Sequence, residues 1–235
     1  MAMKTPNHLP IRKALAILIV ATGLSSCKTA YYPTSYNAPL LNKQGDAQVS
    51  GVISVGNNEL QMAYALTDNI GLTFTGSFFA EDKELTINDQ QVEITEHFTY
   101  FEGGLGYFGQ IGNYGKFGFF GGAGSGRVPA DFRNSFYDGN QTSLRNKVFI
   151  QPTIGFSSNF VDINGVLRFS GVNINKETNL FAEPGVVILM GYKNIKFYAD
   201  AGLSIPYKTS GSLTWDHNFI VFGLGIQINF NVLNN

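Results

Sequence analysis

The run Ile220-Val221-Phe222-Gly223-Leu224-Gly225-Ile226-Gln227-Ile228-Asn229-Phe230 decides the fold. Ile220, Phe222, Leu224, Ile226, Ile228 and Phe230 take every second position, and most residues between them are small or polar. Successive side chains of a β-strand point to opposite faces, so this run carries one apolar face and one polar face. The same alternation marks Leu60 to Leu66, Ile70 to Gly76, Val148 to Ile154 and Ile195 to Leu203. Beyond Asp46 no window of eleven residues shows a helical stripe. The chain reads as all-β.

Breaking the sequence at its turn signals gives ten strands, near 47–55, 59–67, 70–80, 92–111, 117–126, 147–157, 160–170, 183–192, 195–205 and 218–230. Asp68-Asn69, Ser158-Asn159 and Lys193-Asn194 are two-residue hairpin links, and Gly112 to Lys116 is a slightly longer one. The alternate connections, 81–91, 127–146, 171–182 and 206–217, are long; Gly56 to Asn58 is the short exception on that side. Alternating strands of about ten residues, an even strand count and loops sorted by length form the pattern of outer-membrane barrels. Over about residues 46–230 the chain resembles the small OmpA-like outer-membrane barrels. It departs from them after Phe230, where Asn231-Val232-Leu233-Asn234-Asn235 follow instead of a terminal aromatic residue. The resemblance implies an antiparallel up-and-down transmembrane β-barrel over 46–235, of about ten strands, or eight if the first hairpin stands apart.

Composition narrows the class. The 235 residues fit one large domain or two. Only 14% are charged, against roughly 25% in an average soluble domain. A formal charge of −1 leaves no electrostatic footprint for nucleic acid. The 20 Phe and 11 Tyr supply apolar surface that a disordered chain lacks. One cysteine excludes an intramolecular disulfide framework and a multi-thiolate zinc site.

That cysteine has a context. Lys4, Arg12 and Lys13 precede the apolar run Ala14 to Gly23, and Leu24-Ser25-Ser26-Cys27 follows. A basic start, a short apolar run and small residues before a cut site make a secretory signal. The run falls short of the ~20 residues a membrane-spanning helix needs. Leu-Ser-Ser-Cys resembles the lipobox of bacterial lipoproteins. The resemblance implies a signal peptide over 1–26, a diacylglyceryl group on the Cys27 thiol and an acylated amino terminus. The alternative is an ordinary secretory signal that happens to contain a cysteine. Lys28 is not the Asp that in some bacteria retains lipoproteins at the inner membrane. Losing the signal removes three basic residues and no acidic ones, moving the net charge from −1 to −4. Residues 28–45 hold two Pro and three Tyr without periodicity. Residues 27–45 are therefore expected to be a lipidated tether, on the periplasmic side because an even strand count leaves both barrel ends at the short turns.

In lipid the apolar series must face outward, because no water is available there to side chains or to an open backbone edge. Gln61, Thr73, Thr75, Gln151, Thr153, Lys196 and Asp200 then face the lumen, the reverse of a lipocalin-like carrier of apolar molecules. Glu102, Asp162, Arg168, Glu183, Lys196 and Asp200 are the expected lumen charges. Arg168 and Glu183 flank the 171–182 connection, near the outer mouth, and Asp162 and Lys196 sit low. Opposite charges at matching heights predict ion pairs in a lumen filled by side chains, with no open channel. The connection 127–146, with Asp131, Arg133, Asp138 and Arg145, is the expected principal exposed loop. Tyr107, Tyr114 and Tyr192 suit an interfacial girdle, and Trp215 the outer surface.

Nothing in the mature chain announces catalysis. His97 shares a face with Thr99 but not with Glu102, and His217 has no nucleophile two residues on. Gly103 to Gly106 and Gly121 to Gly126 lie inside strands, open no helix and lack a Lys-Ser/Thr ending, so they read as close packing and not as phosphate loops. No catalytic, cofactor or metal site is expected. The sequence points to a lipid-anchored outer-membrane barrel of structural or surface-interaction type, not an enzyme. Its expected partners are outer-membrane lipids, the barrel assembly machinery and an undefined envelope partner, with no nucleic acid. A narrow pore, or a component of an envelope transport assembly, is the alternative.

Overall fold

Backbone amides and carbonyls with no water around them must find each other, and a sheet closed on itself satisfies all of them. The computed structural model shows that solution, and it describes residues 31–87, 90–129, 142–174, 176–192, 194–209 and 217–233. Eleven strands follow in order: β1 (Asp46–Ser54), β2 (Asn57–Ala65), β3 (Ile70–Ile87), β4 (Gln90–Ile111), β5 (Gly115–Pro129), β6 (Thr142–Ser157), β7 (Val161–Ile174), β8 (Glu177–Tyr192), β9 (Ile195–Leu203), β10 (Ile205–Thr209) and β11 (Ile220–Asn231). Each pairs antiparallel with its neighbour in the wall. β9 and β10 both pair with β8 and are interrupted only at Ser204, so they make one wall strand. β11 pairs with β9 on one side and with β1 on the other, from Asp46↔Asn231 to Ser54↔Gly223. The result is a closed ten-stranded antiparallel barrel with no helix among the described residues.

The two faces of the wall differ sharply. Leu60, Met62, Leu72, Phe74, Leu224 and Ile226 point outward and are 41–58% exposed, whereas Gln61, Thr73, Thr75, Gln151 and Gln227 point inward at 8% or less. A soluble protein has this the other way round. Aromatic pairs ring the outer face near the short turns, with Tyr114 on Phe156 at 5.5 Å and Phe160 on Tyr192 at 5.3 Å. Tyr107 and Phe117 stand at the same end, and Phe78 with Phe101 and Phe169 with Tyr207 lie toward the other. From Phe101 to Ile111, β4 rises roughly 25 Å along the barrel axis at a ~40° tilt, the height of an apolar band in this class of barrel.

Three expectations about connections change. The segment 81–91 is not a loop, because β3 and β4 stay paired out to Ile87↔Gln90. Likewise β7 and β8 remain in register to Ile174↔Glu177, so 171–182 is mostly sheet. The connection 127–146 shrinks to 130–141, since β5 continues to Pro129 and β6 begins at Thr142. Asp131, Arg133, Asp138 and also Trp215 lie outside the described residues. Arg145 is no loop residue at all: it is 3% exposed and faces the lumen from β6. A hairpin arm can continue into water with polar side chains because its backbone is already paired, so polar composition there does not signal a loop.

The largest correction concerns the expected tether. Within 27–45, the described residues from Tyr31 onward run down the inside of the barrel, and most of 31–41 is buried.

Candidate functional site

The path of this segment is fixed at both ends. At the end bearing the long connections, the Tyr31 backbone bridges His217, its carbonyl accepts from the Asn218 amide at 2.9 Å, and its ring packs on Phe181 at 5.0 Å. At the short-turn end, Lys116 at the foot of β5 donates to the Asn42 side chain. The Gln44 amide donates to Asp68 in the β2–β3 turn at 2.9 Å. Gly45, at φ +83°, then reverses the chain into β1. A left-handed backbone angle of that kind favours glycine. Residues 31–42 therefore form a thread through the whole lumen, running from the long-loop mouth to the short-turn mouth.

A buried extended segment without a strand partner has backbone groups that need other partners. The wall supplies them from its side chains. Arg145 Nη1 donates to the Tyr32 carbonyl at 2.9 Å, Arg168 Nη2 to Thr34 at 2.7 Å, and Tyr198 to Tyr36 at 2.8 Å. Gln151 donates to the Asn37 carbonyl at 2.9 Å and Asn164 to Ala38 at 3.1 Å. The amides of Ser35 and Tyr36 donate to Glu59 at 3.0 Å and Asp200 at 2.8 Å. Seven wall side chains from four strands, β2, β6, β7 and β9, thus grip the main chain of the thread.

The lumen charges fall into this scheme. Arg168 and Glu183 are register partners, joined at 2.5 Å and essentially unexposed, well below the β7–β8 tip and not beside a loop. Glu183 also accepts from the hydroxyls of Tyr31, Ser170 and Ser204. Lys196 pairs with Asp162 near the short-turn mouth. Glu102 pairs with Lys147 at 3.0 Å and accepts from Thr34 and Tyr100. Asp200 enters no such ion pair among the described residues, and its carboxylate instead accepts from the Tyr36 amide of the thread. Sequence reasoning passed over Lys147, Glu59 and the inward role of Arg145, whose guanidinium lies 4.0 Å from the Tyr100 ring centre and 4.5 Å from that of Tyr31. All three were within reach of the period-two pattern. Leu144, Asn146 and Val148 continue one face of β6, which sets Arg145 and Lys147 on the other, and Glu59 shares the series of Gln61.

Glycines in the wall leave room for the thread. Gly185 and Gly202 are register partners on β8 and β9, and a Cβ on either would come within 2.3 Å of Tyr36. On Gly223 it would meet Ser35 Oγ at 2.6 Å, and on Gly71 the Leu41 side chain at 2.9 Å. The Gly103–Gly106 and Gly121–Gly126 stretches do something different. There β4 and β5 pack closely, and a Cβ on Gly122 would sit 2.2 Å from the Gly103 carbonyl.

An inward polar series, an outward apolar series and a closed antiparallel ladder are now all in view. This is an outer-membrane-type β-barrel. No family model matches the chain, and no curated protein is significantly similar to it. Among solved structures it is similar to OmpT (in-vitro folded), an outer membrane protein of Vibrio cholerae, at 14% identity and a TM-score of 0.33. The match covers 78% of this chain and 64% of that one, so the chain spans a little under two thirds of that protein's length.

Space remains at the short-turn mouth. A polar vestibule of about 520 Å³ opens there between Leu40, Asn42, Asp46, Asp162, Lys196 and Asn229. Among the described residues no group of three or more His, Cys, Asp or Glu side chains could hold a metal ion. The His217 ring lies 5.4 Å from the Phe181 ring at a tilt of 53°, and its backbone bridges Tyr31 of the thread.

Proposed function

We propose that this chain is a lipid-anchored barrel of the bacterial outer membrane, of structural or surface-interaction type, whose lumen is closed by its own amino-terminal segment. The observation that carries the closure is the thread itself: a buried main-chain segment gripped along its length by wall side chains. A water-filled pore would need those groups to face solvent. Here ion pairs and hydrogen bonds already occupy them, and releasing them would leave several buried charges without partners. The outward apolar face supports residence in a bilayer, and the lipobox-like Leu24-Ser25-Ser26-Cys27 supports the anchor. On this reading the barrel does no chemistry, and the connections at its long-loop end are the surfaces that meet partners.

The test is electrical. Purified full-length protein in a planar bilayer, first checked for folding by its heat-modifiable gel mobility, is expected to show no steady conductance. A large, stable conductance would overturn the closed-lumen reading and establish the pore alternative. The anchor is tested separately by mass spectrometry of the mature terminus, where an unmodified Cys27, or cleavage elsewhere, would refute it.

A further inference from the structure

We propose that the amino terminus leaves the barrel on the long-loop face, so that the acyl chains on Cys27 enter the outer leaflet beside the β1–β2 turn. The acyl chains themselves rest on the lipoprotein reading above; their side of the membrane rests on the thread. The direction of the thread is set by Tyr31 at Asn218 and Phe181 and by Asn42 at Lys116. Cys27 is four residues before Tyr31, and a chain extends at most ~3.6 Å per residue, so the gap spans no more than about 14 Å. Reaching the short-turn face would mean recrossing an apolar band ~25 Å tall. The lumen offers no return route, because residues 31–42 already fill it. In outer-membrane barrels the short turns are periplasmic and the longer loops extracellular. Both ends of the wall, Asp46 and Asn231, lie on the short-turn side, yet Tyr31, the first described residue, lies at the other.

The wall also provides an exit. β1 and β2 are nine residues each and stop at a tight turn, while β3 continues from Phe78, the partner of Asn58, up to Ile87. The rim is therefore low at Ser54 to Asn57. The Tyr32 ring lies on this rim, so close to Gly56 that a Cβ there would come within 2.6 Å. Gly56 itself has φ +80°. Just below, on the outer side of the same turn, Ile53 is 72% exposed and Val55 40%. Apolar side chains at that height are suited to contact lipid tails. A diacylglyceryl group four residues from Tyr31 has only to step over the rim to join them.

The experiment uses the full-length protein in intact cells and a membrane-impermeant maleimide. Thr29→Cys adds a thiol two residues after Cys27, and Gly139→Cys, in the 130–141 connection, serves as the reference for the long-loop face. Heat-modifiable mobility verifies that each variant folds. A lipidated Cys27 is a thioether and does not react, so the unmodified protein is expected to stay unlabelled. Thr29→Cys is expected to label on intact cells to the same extent as Gly139→Cys, with no gain on permeabilisation. Labelling of Thr29→Cys only after permeabilisation would overturn the outer-leaflet assignment while leaving the lipoprotein reading intact, whether Gly139→Cys then labels on intact cells or not. Labelling of the unmodified protein would overturn the lipoprotein reading and, with it, the acyl chains in this proposal.

Discussion

Arg168 shows how one side chain can serve both the wall and the thread. Its guanidinium pairs with Glu183 and donates to the Thr34 carbonyl, all in a site with almost no exposure. Removing one member of such a pair leaves the other charge buried. Arg168→Met should therefore cost about 3–5 kcal/mol, seen as a lower urea midpoint for the barrel in lipid vesicles, and adding Glu183→Gln should recover part of that loss. Gly202 makes a second, independent case. Gly202→Val would drive a branched side chain into Tyr36 and should cost about 1–3 kcal/mol, whereas Gly51→Ala, with nothing within 4 Å of the new Cβ, should change stability by well under ~1 kcal/mol. Equal effects at the two glycines would mean that Tyr36 is not seated where β8 and β9 meet. The lumen charges were readable in the sequence because a strict period of two tells in from out, and the structure joins Arg168 with Glu183 and Asp162 with Lys196. Arg145 was misread because the polar residues around it look like a loop, although its own face pattern is unbroken.

Among the elements, the wall was legible and the thread was not, and the reason is physical. Each wall strand separates lipid from a polar interior, so its sequence must alternate; Ile220 to Phe230 alone carries the signal. Most of residues 31–41 is enclosed by the wall on every side. A segment without two different faces has no period to display, and Pro33 and Pro39 with three tyrosines look like linker composition. What could have pointed to it lies in the wall: the paired Gly185 and Gly202, and more polar lumen groups than ion pairing uses. The thread makes a direct prediction. Ser35→Cys with Gly223→Cys should form a disulfide on mild oxidation, since a Cβ on Gly223 lies 2.6 Å from the Ser35 hydroxyl oxygen, and a non-reducing gel of the unfolded protein should show a shifted band. Absence of the crosslink in folded protein would argue that the segment lies elsewhere. Deleting residues 31–41 should turn a silent barrel into a leaky one in the planar bilayer.

For the molecule as a whole, the order of events during folding is constrained. β1 and β11 lie at opposite ends of the chain's wall, and their pairing from Asp46↔Asn231 to Ser54↔Gly223 is one of the seams of the barrel. If Cys27 carries acyl chains, as proposed above, the thread cannot be drawn in once every seam has formed, because several acyl chains do not fit through a lumen lined by Tyr36, Tyr198 and Arg168. The segment must be present as the last seam closes, and the wall assembles around it. On that proposal the result is a mechanical interlock, an axle held inside a ring, with lipid as the stopper at one end and β1 as the stopper at the other. Such a part is retained by shape as well as by its bonds. Cutting the chain at Lys43-Gln44 on the short-turn face, with an introduced protease site, removes the β1 stopper; the freed piece should then stay in folded protein through its bonds to the wall alone, and part from the ring when the wall is unfolded by heat.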